Sequence, residues 1–219
     1  GVAELAADIN DGSGSSSPQL LTVYGDKLYF IANSDNNGQE LHVFDVTKST
    51  VTRLTDIAVG SAGSEIESLT VFNGKLYFVA NDGDAGDEIW AYDQETGKVF
   101  LAVAAPDSGS ITPEYLTVYQ GKLYFQGEDE ELDGSLYSWN ETDGLTNLGS
   151  DDNPEYYSHL TVFNDKLIFK GLSASEGEEV WAYDQLTGKF TLLADINIGE
   201  EGSDPRHFFS FNDKLYFSA

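Results

Sequence analysis

Residues 68–98 read SLTVFNGKLYFVANDGDAGDEIWAYDQETGK, and the rest of the chain is built from imperfect copies of this stretch and the few residues after it. Leu69, Val71, Leu76, Phe78, Ile89 and Ala91 fall in short runs rich in β-branched and aromatic residues, the pattern of strands. Asn73-Gly74 separates the first two runs, and both residues accept the positive φ of a type I′ hairpin turn. A Gly/Asp loop from Asn81 to Asp87 leads to a third strand, Glu88 to Tyr92. Gln94-Glu95-Thr96-Gly97 then turns the chain into a fourth, Lys98 to Ala104. Four antiparallel strands in roughly forty residues form one small meander, which cannot bury both its faces and must stack on copies of itself.

The hairpin recurs as LTVYGDKLYF from Leu21, LTVFNGKLYF from Leu69, LTVYQGKLYF from Leu116, LTVFNDKLIF from Leu160 and FSFNDKLYF from Phe209. Its lysines, Lys27, Lys75, Lys122, Lys166 and Lys214, lie 44 to 48 residues apart, the period of propeller blades. A third strand follows four of them, as ELHVFD from Glu40, EIWAYD from Glu88, SLYSWN from Ser135 and EVWAYD from Glu179. A fourth-strand sequence occurs five times, and its first copy, VAELAADI from Val2, opens the chain. The expected fold is therefore all-β: a five-bladed β-propeller of four-stranded antiparallel blades in one domain, residues 1–219. The blades cover about 20–57, 68–104, 115–148, 159–196, and 207–219 plus 2–9. The N-terminal strand closes an incomplete fifth blade that lacks a third strand. A longer native chain, a three-stranded blade or a strand from another molecule would each account for the gap. The chain starts at Gly1 and contains no Met, so its native start is expected upstream.

EIWAYDQETG and EVWAYDQLTG, with LLADIN and a Gly/Ser loop before LTVFN, resemble the ELWxxDGT-type (hyalin-like) repeats of bacterial secreted or surface proteins. The resemblance spans essentially the whole chain and implies an extracellular or cell-surface location. DQETG and DQLTG stand where that pattern has DGT, and ELHVFDVTKS and SLYSWNETDG are degenerate copies.

Composition narrows the function classes. The 219 residues carry a net charge of −27, which opposes nucleic acid and anionic membranes, since phosphate binding needs clustered Lys and Arg. No apolar run approaches a membrane span, so no insertion is expected. The absence of Cys excludes disulfides, thiolate metal sites and Cys nucleophiles. Eight of the eleven basic residues follow the first or third turn of a repeat. The other loops collect Asp35, Asp82, Asp84, Asp87, Glu128 to Glu131, Asp133, Asp151, Asp152, Glu176, Glu178, Glu200, Glu201 and Asp204, so a ring would have faces of opposite charge. That polarity serves solubility, or head-to-tail stacking of copies.

Asp82, Asp84 and Asp87 offer three carboxylates in one loop, which could supply several of the six to eight oxygens Ca²⁺ takes, although the spacing is not that of an EF-hand and an ordinary polar turn is the first reading. His42, Trp90, Tyr137 and Trp181, with Phe44, Tyr92, Trp139 and Tyr183, are equivalent third-strand positions. Packing between blades is the first reading of them and a sugar platform the second. The three histidines share no visible motif with a Ser or Asp, so catalysis has little support. These features point to a non-enzymatic extracellular or cell-surface binding or adhesion module, whose partner is a protein or glycan, or copies of itself. A structural subunit of a self-assembling filament, and a lectin or carbohydrate-active enzyme, are the alternatives.

Overall fold

The computed structural model describes residues 3–10, 14–34, 38–84, 86–104, 111–128, 134–150 and 153–219. Asp35, Asp129, Glu130, Glu131, Asp133, Asp151 and Asp152 of the expected acidic loops lie outside these residues, as does Val2. The chain divides into two compact units, Gly1–Ser110 and Ile111–Ala219, with the boundary between the second and third repeats. The first unit holds β1 (Gln19–Tyr24), β2 (Lys27–Asn33), β3 (Gln39–Asp45) and β4 (Thr50–Arg53) in one sheet. Its second sheet is β5 (Glu67–Phe72), β6 (Lys75–Asn81), β7 (Asp87–Asp93) and β8 (Lys98–Val103). In the second unit β9 (Glu114–Tyr119), β10 (Lys122–Gly127), β11 (Ser135–Asn140) and β12 (Gly144–Asn147) form one sheet. A second comprises β13 (Glu155–Phe163), β14 (Lys166–Ser173), β15 (Gly177–Asp184) and β16 (Lys189–Ala194). Lastly β17 (Arg206–Phe211) and β18 (Lys214–Ser218) form a two-stranded sheet among the described residues. Each strand is antiparallel to its sequence neighbour in the sheet, as the repeats require. No helix among the described residues is long and apolar enough to cross a membrane.

Local chemistry explains the meanders. Asn73 and Gly74 have φ of 45° and 71°, the left-handed pair of a type I′ turn, and Gln120-Gly121, Asn164-Asp165 and Asn212-Asp213 repeat it. The first hairpin instead places Gly25 alone in that region, as a type II′ turn does. At the third turn, the Asp ending each third strand folds the chain with its own side chain. The Oδ1 atoms of Asp45, Asp93 and Asp184 accept hydrogen bonds from backbone amides two and three residues on, at 2.8–3.3 Å. Asn140 does the same in the degenerate copy, toward Thr142 and Asp143. These donors hold the Asp93 carboxyl below its usual range.

The two units bury their sheets by the same scheme. In the first, Tyr29, Ile31, Leu41 and Val43 of one sheet meet Ile66, Leu76, Phe78, Ala80 and Tyr92 of the next. In the second, Tyr124 and Leu136 meet Leu167, Phe169 and Tyr183 around the buried Tyr157. Ile168, Val180 and Ala182 then pack under Phe208 and Leu215 of the last hairpin. Each fully buried aromatic in these layers contributes about 1.5–3 kcal/mol. Trp90 and Trp181 lie half-buried against the first two clusters, so the third-strand aromatics serve sheet packing. Hydroxyls add direction. Tyr24 donates to the carbonyl of Gly74, and Tyr119 donates to that of Asp165 at 2.6 Å. Tyr29 and Tyr124 donate to Gln94 and Gln185, at 3.3 and 2.9 Å. The glutamine that stands in the expected DGT turn thus receives the tyrosine of the preceding sheet.

One expected strand is absent. Residues 3–9 form no strand, and Leu5 is 82% exposed. The β17–β18 sheet has two strands among the described residues, so the expected strand over 2–9 does not complete it. Three alanines in AELAADI lower its strand preference below that of KFTLLADI, and a strand also needs a neighbouring ladder for its amides.

Candidate binding site

In the loop that was a candidate for Ca²⁺, the Asp82 carboxylate accepts the Asp84 amide at 2.9 Å. Asn81 accepts the Gly83 amide at 2.8 Å and donates to Asp87 at 3.0 Å. Asn81 and Asp82 thus fold the loop on itself through its backbone amides. No group of three or more His, Asp or Glu that could hold a metal occurs among the described residues, and Asp82, Asp84 and Asp87 do not form one.

Other carboxylates are structural. Glu40 is fully buried and accepts from Ser64 Oγ at 2.5 Å and Thr55 Oγ1 at 2.6 Å. Those hydroxyls in turn accept the amides of Ala58 and Leu41, at 3.0 and 2.9 Å. Glu179 fills the same repeat position and accepts from Ser203 Oγ at 2.8 Å and from the amides of Ile196 and Asn197. Each carboxylate latches the loop that leaves the fourth strand back onto its own sheet. Glu88 occupies this position in the second repeat and is also buried.

The densest chemistry lies elsewhere. Every first strand carries a β-bulge before the hairpin, and β13 carries two. The bulge residue is left-handed and not glycine in all five: Leu20, Ser68, Tyr115, His159 and His207, with φ of 52–59°. A second left-handed residue precedes each by three positions, at Ser17, Glu65, Thr112, Tyr156 and Asp204. A β-bulge re-aims a side chain, and its recurrence in all five first strands makes it part of the repeat, so what differs between repeats is the side chain it aims. The second unit places Tyr115, His159 and His207 at this position on its three first strands. Tyr115 and His159 stack at 5.4 Å between ring centroids, 27° from parallel.

Charged groups surround the row. Lys170 reaches Glu178 at 2.9 Å and Asp204 at 3.0 Å, and Arg206 grips both oxygens of Asp204 at 2.6 and 3.0 Å. Arg206 and Lys170 hold the Asp204 carboxyl down to about 2. Burial works against the Lys170 ammonium, yet its two carboxylate partners leave it above the usual lysine range. Burial first, and then the positive charges of Lys170 and Arg206, push the His159 imidazole down, so it is neutral at pH 7. Burial and Glu114 push the Tyr115 hydroxyl up. The row thus presents two neutral rings beside two cations matched by two anions, in a chain of net charge −27. Catalytic geometry is not evident at His159, whose Nδ1 meets the hydroxyl of its neighbour Ser158 at 3.1 Å, and Ser158 is buried.

A groove of about 630 Å³ also opens in the second unit, lined by Pro154, Leu172, Ser173, Glu176, Trp181 and Glu200. The Trp181 indole N–H is buried without a hydrogen-bond partner among the described residues. Trp90 shares that property in the first unit, so it belongs to the repeat rather than to a ligand.

The row was visible in the sequence to a stricter alignment. His159 and His207 share no motif with Ser or Asp, but each immediately precedes the first apolar residue of a hairpin, where Tyr115, Ser68 and Leu20 also stand. The bulge at this position leaves no mark in the pattern of apolar residues along the strand.

No protein-family model matches the sequence, and no curated protein matches it. Solved structures do. A prolyl endopeptidase superposes with a TM-score of 0.59 at 12% identity, over 87% of this chain and 28% of that one. A puromycin hydrolase gives 0.58 at 17% identity, over 91% and 32%. TolB from Acinetobacter baumannii gives 0.54 at 16% identity, over 77% and 41%. The chain spans less than half the length of these structures. Such identities carry the fold alone, and that fold is β-propeller-like.

Proposed function

We propose that the five sheets are successive blades of a β-propeller and that the chain is a non-enzymatic extracellular or cell-surface binding module. Its ligand is a saccharide held at Tyr115, His159 and His207. One observation carries this reading: the second unit places a ring, Tyr115, His159 and His207, at the bulge of each of its three first strands, where the first unit has Leu20 and Ser68. A left-handed residue with a side chain costs about 1–2 kcal/mol relative to glycine there, and all five bulges carry one, so the rings rather than the strain distinguish the second unit. The stacked Tyr115–His159 rings supply an apolar face for a sugar ring. Lys170, Glu178, Asp204 and Arg206 supply charge-assisted hydrogen bonds for its hydroxyls.

The test separates the row from the fold. His159→Gly and His207→Gly remove the rings and relax the backbone, so thermal unfolding is expected at or slightly above the parent temperature. Binding to a panel of neutral oligosaccharides, followed by calorimetry, is expected to fall at least about tenfold, since base-level stacking and hydrogen bonds of this kind are each worth a kcal/mol or more. Ser68→Gly, at the same bulge in the first unit, should leave binding unchanged. A panel ligand that binds the double variant as well as the parent, or one that the protein hydrolyses, would overturn the reading.

A further inference from the structure

We infer that the groove of the second unit takes a linear polyamine, a small ligand whose ammonium groups are spaced along an alkyl chain. The groove shares no lining residue with the row at Tyr115, His159 and His207, and the inference does not depend on the saccharide reading. Its volume of about 630 Å³ falls among those of small-molecule sites. Pro154, Leu172 and Trp181 give it apolar walls, and Glu155, Glu176 and Glu200 also line it. Among the described residues no Lys, Arg or His does. None of the three carboxylates belongs to an ion pair among those residues, whereas Lys170 is already held by Glu178 and Asp204.

Glu176 is half-buried and fixed in place. Ser173 Oγ and Ser175 Oγ both donate to its Oε2, the second at 2.6 Å, and Ser173 Oγ accepts the Glu176 amide at 3.1 Å. The two hydroxyls hold the carboxyl below its usual range. Oε1 accepts no hydrogen bond among the described residues, so it is open to a donor from a ligand. An acceptor oriented beforehand loses less freedom on binding. The same repeat position is Asn37 in the first repeat and Ala85 in the second, so the fold does not require an acid there. Glu40 and Glu179, by contrast, share a repeat position because each latches a loop.

The arrangement of the carboxylates defines the occupant. Glu155, Glu176 and Glu200 do not gather into a group that could hold a metal ion. Negative charges set apart along apolar walls match positive charges set apart along methylenes. An ammonium donates a charge-assisted hydrogen bond to a carboxylate, an indole attracts a cation over its face, and the alkyl segments lie against Leu172 and Pro154. The net charge of −27 raises the local concentration of any cation, so the experiment must separate the groove from the general field.

Spermidine is titrated into the full 219-residue chain by calorimetry at about 0.15 M ionic strength, where exposed charges are largely screened. One saturable site per chain is expected. Glu176→Gln keeps an oxygen for the two serine hydroxyls and should weaken binding at least about tenfold. Glu95→Gln removes the same charge from an exposed turn of the first unit and should leave binding unchanged. Circular dichroism and thermal unfolding confirm that both variants are folded. Equal effects of the two substitutions would reduce the binding to net charge and overturn the inference, as would the lack of a saturable site. Two single-ammonium probes are n-butylamine and N-acetyl-lysine amide. If either binds as tightly as spermidine, the groove reads one ammonium, or a lysine side chain, and the inference fails. Displacement of spermidine by an equal concentration of Mg²⁺ would mark an ordinary counter-ion and overturn it too.

Discussion

Replacing Glu40 with alanine is expected to lower the unfolding free energy of the first unit by about 3 kcal/mol, the scale of two buried hydroxyls left without an acceptor. Ser64 and Thr55 donate to its two oxygens, and both hydroxyls are already committed as acceptors to the amides of Ala58 and Leu41. Removing the carboxylate therefore unties the loop from both ends. Glu40→Gln keeps the shape and one acceptor oxygen, and either hydroxyl can rotate to accept from the new amide, so its cost should be near 1 kcal/mol or below. Burial pushes the Glu40 carboxyl above its usual range, while the Ser64 and Thr55 hydroxyls pull it back. The folded chain then holds this proton more tightly than the unfolded one does. Its contribution to stability is complete below the unfolded value of about 4.3 and is lost as pH rises through the higher folded value. Self-repulsion of a chain at −27 adds a similar slope, so the diagnostic quantity is the difference between parent and Glu40→Gln in urea unfolding at acidic and neutral pH. That difference should shrink toward acid. A Glu40→Ala protein as stable as the parent would show that the latch holds nothing.

The second large effect falls on a glycine. Gly202 has φ of +63°, and a Cβ there would stand 2.2 Å from the Glu178 amide nitrogen and 2.7 Å from its carbonyl oxygen. Both are backbone atoms in β15, so neither can step aside. Gly202→Ala must push the loop off the strand, breaking the bonds from the Ser203 and Asp204 amides to the Glu178 carbonyl and the Ser203–Glu179 contact. A loss of about 4 kcal/mol or more is expected in chemical unfolding, from strain, clash and the released carboxylate together. Gly188→Ala is the matched control. Its φ is +66°, but nothing lies within 4 Å of the new Cβ, so it should cost only about 1–2 kcal/mol. Equal effects at the two sites would mean that backbone conformation, not close approach, sets the requirement for glycine. Asp204 follows Gly202 by two residues and ties Lys170 to Arg206, so Gly202→Ala should also abolish any binding at the row. Gly38 and Gly63 make the same close approach in the first unit, with a Cβ on Gly38 falling 2.3 Å from the Gly63 nitrogen.

Much of this architecture could be read in the sequence because it depends on neighbours along the chain. Asn73-Gly74, the terminal aspartates of ELHVFD, EIWAYD and EVWAYD, and the alternation in KLYF act within a few residues. Turns and strand order in the four complete sheets accordingly follow the reading. In the acidic loop Asn81 and Asp82 use their oxygens on adjacent backbone amides, as the polar-turn reading of that stretch has it. VAELAADI looked like a fourth strand because it matched KFTLLADI in pattern, and pattern cannot supply the partner that a strand needs.

Sequence by itself determined the repeat, the all-β class and the hairpin turns, since periodicity and turn chemistry are local. Only the tertiary structure decided which groups meet across repeats. Glu40 reaches Ser64 across 24 residues, Tyr29 reaches Gln94 across 65, and Lys170 reaches Asp204 across 34. The bulge that lines up Tyr115, His159 and His207 is likewise a matter of strand pairing, one residue of register that alternation along a single strand does not encode.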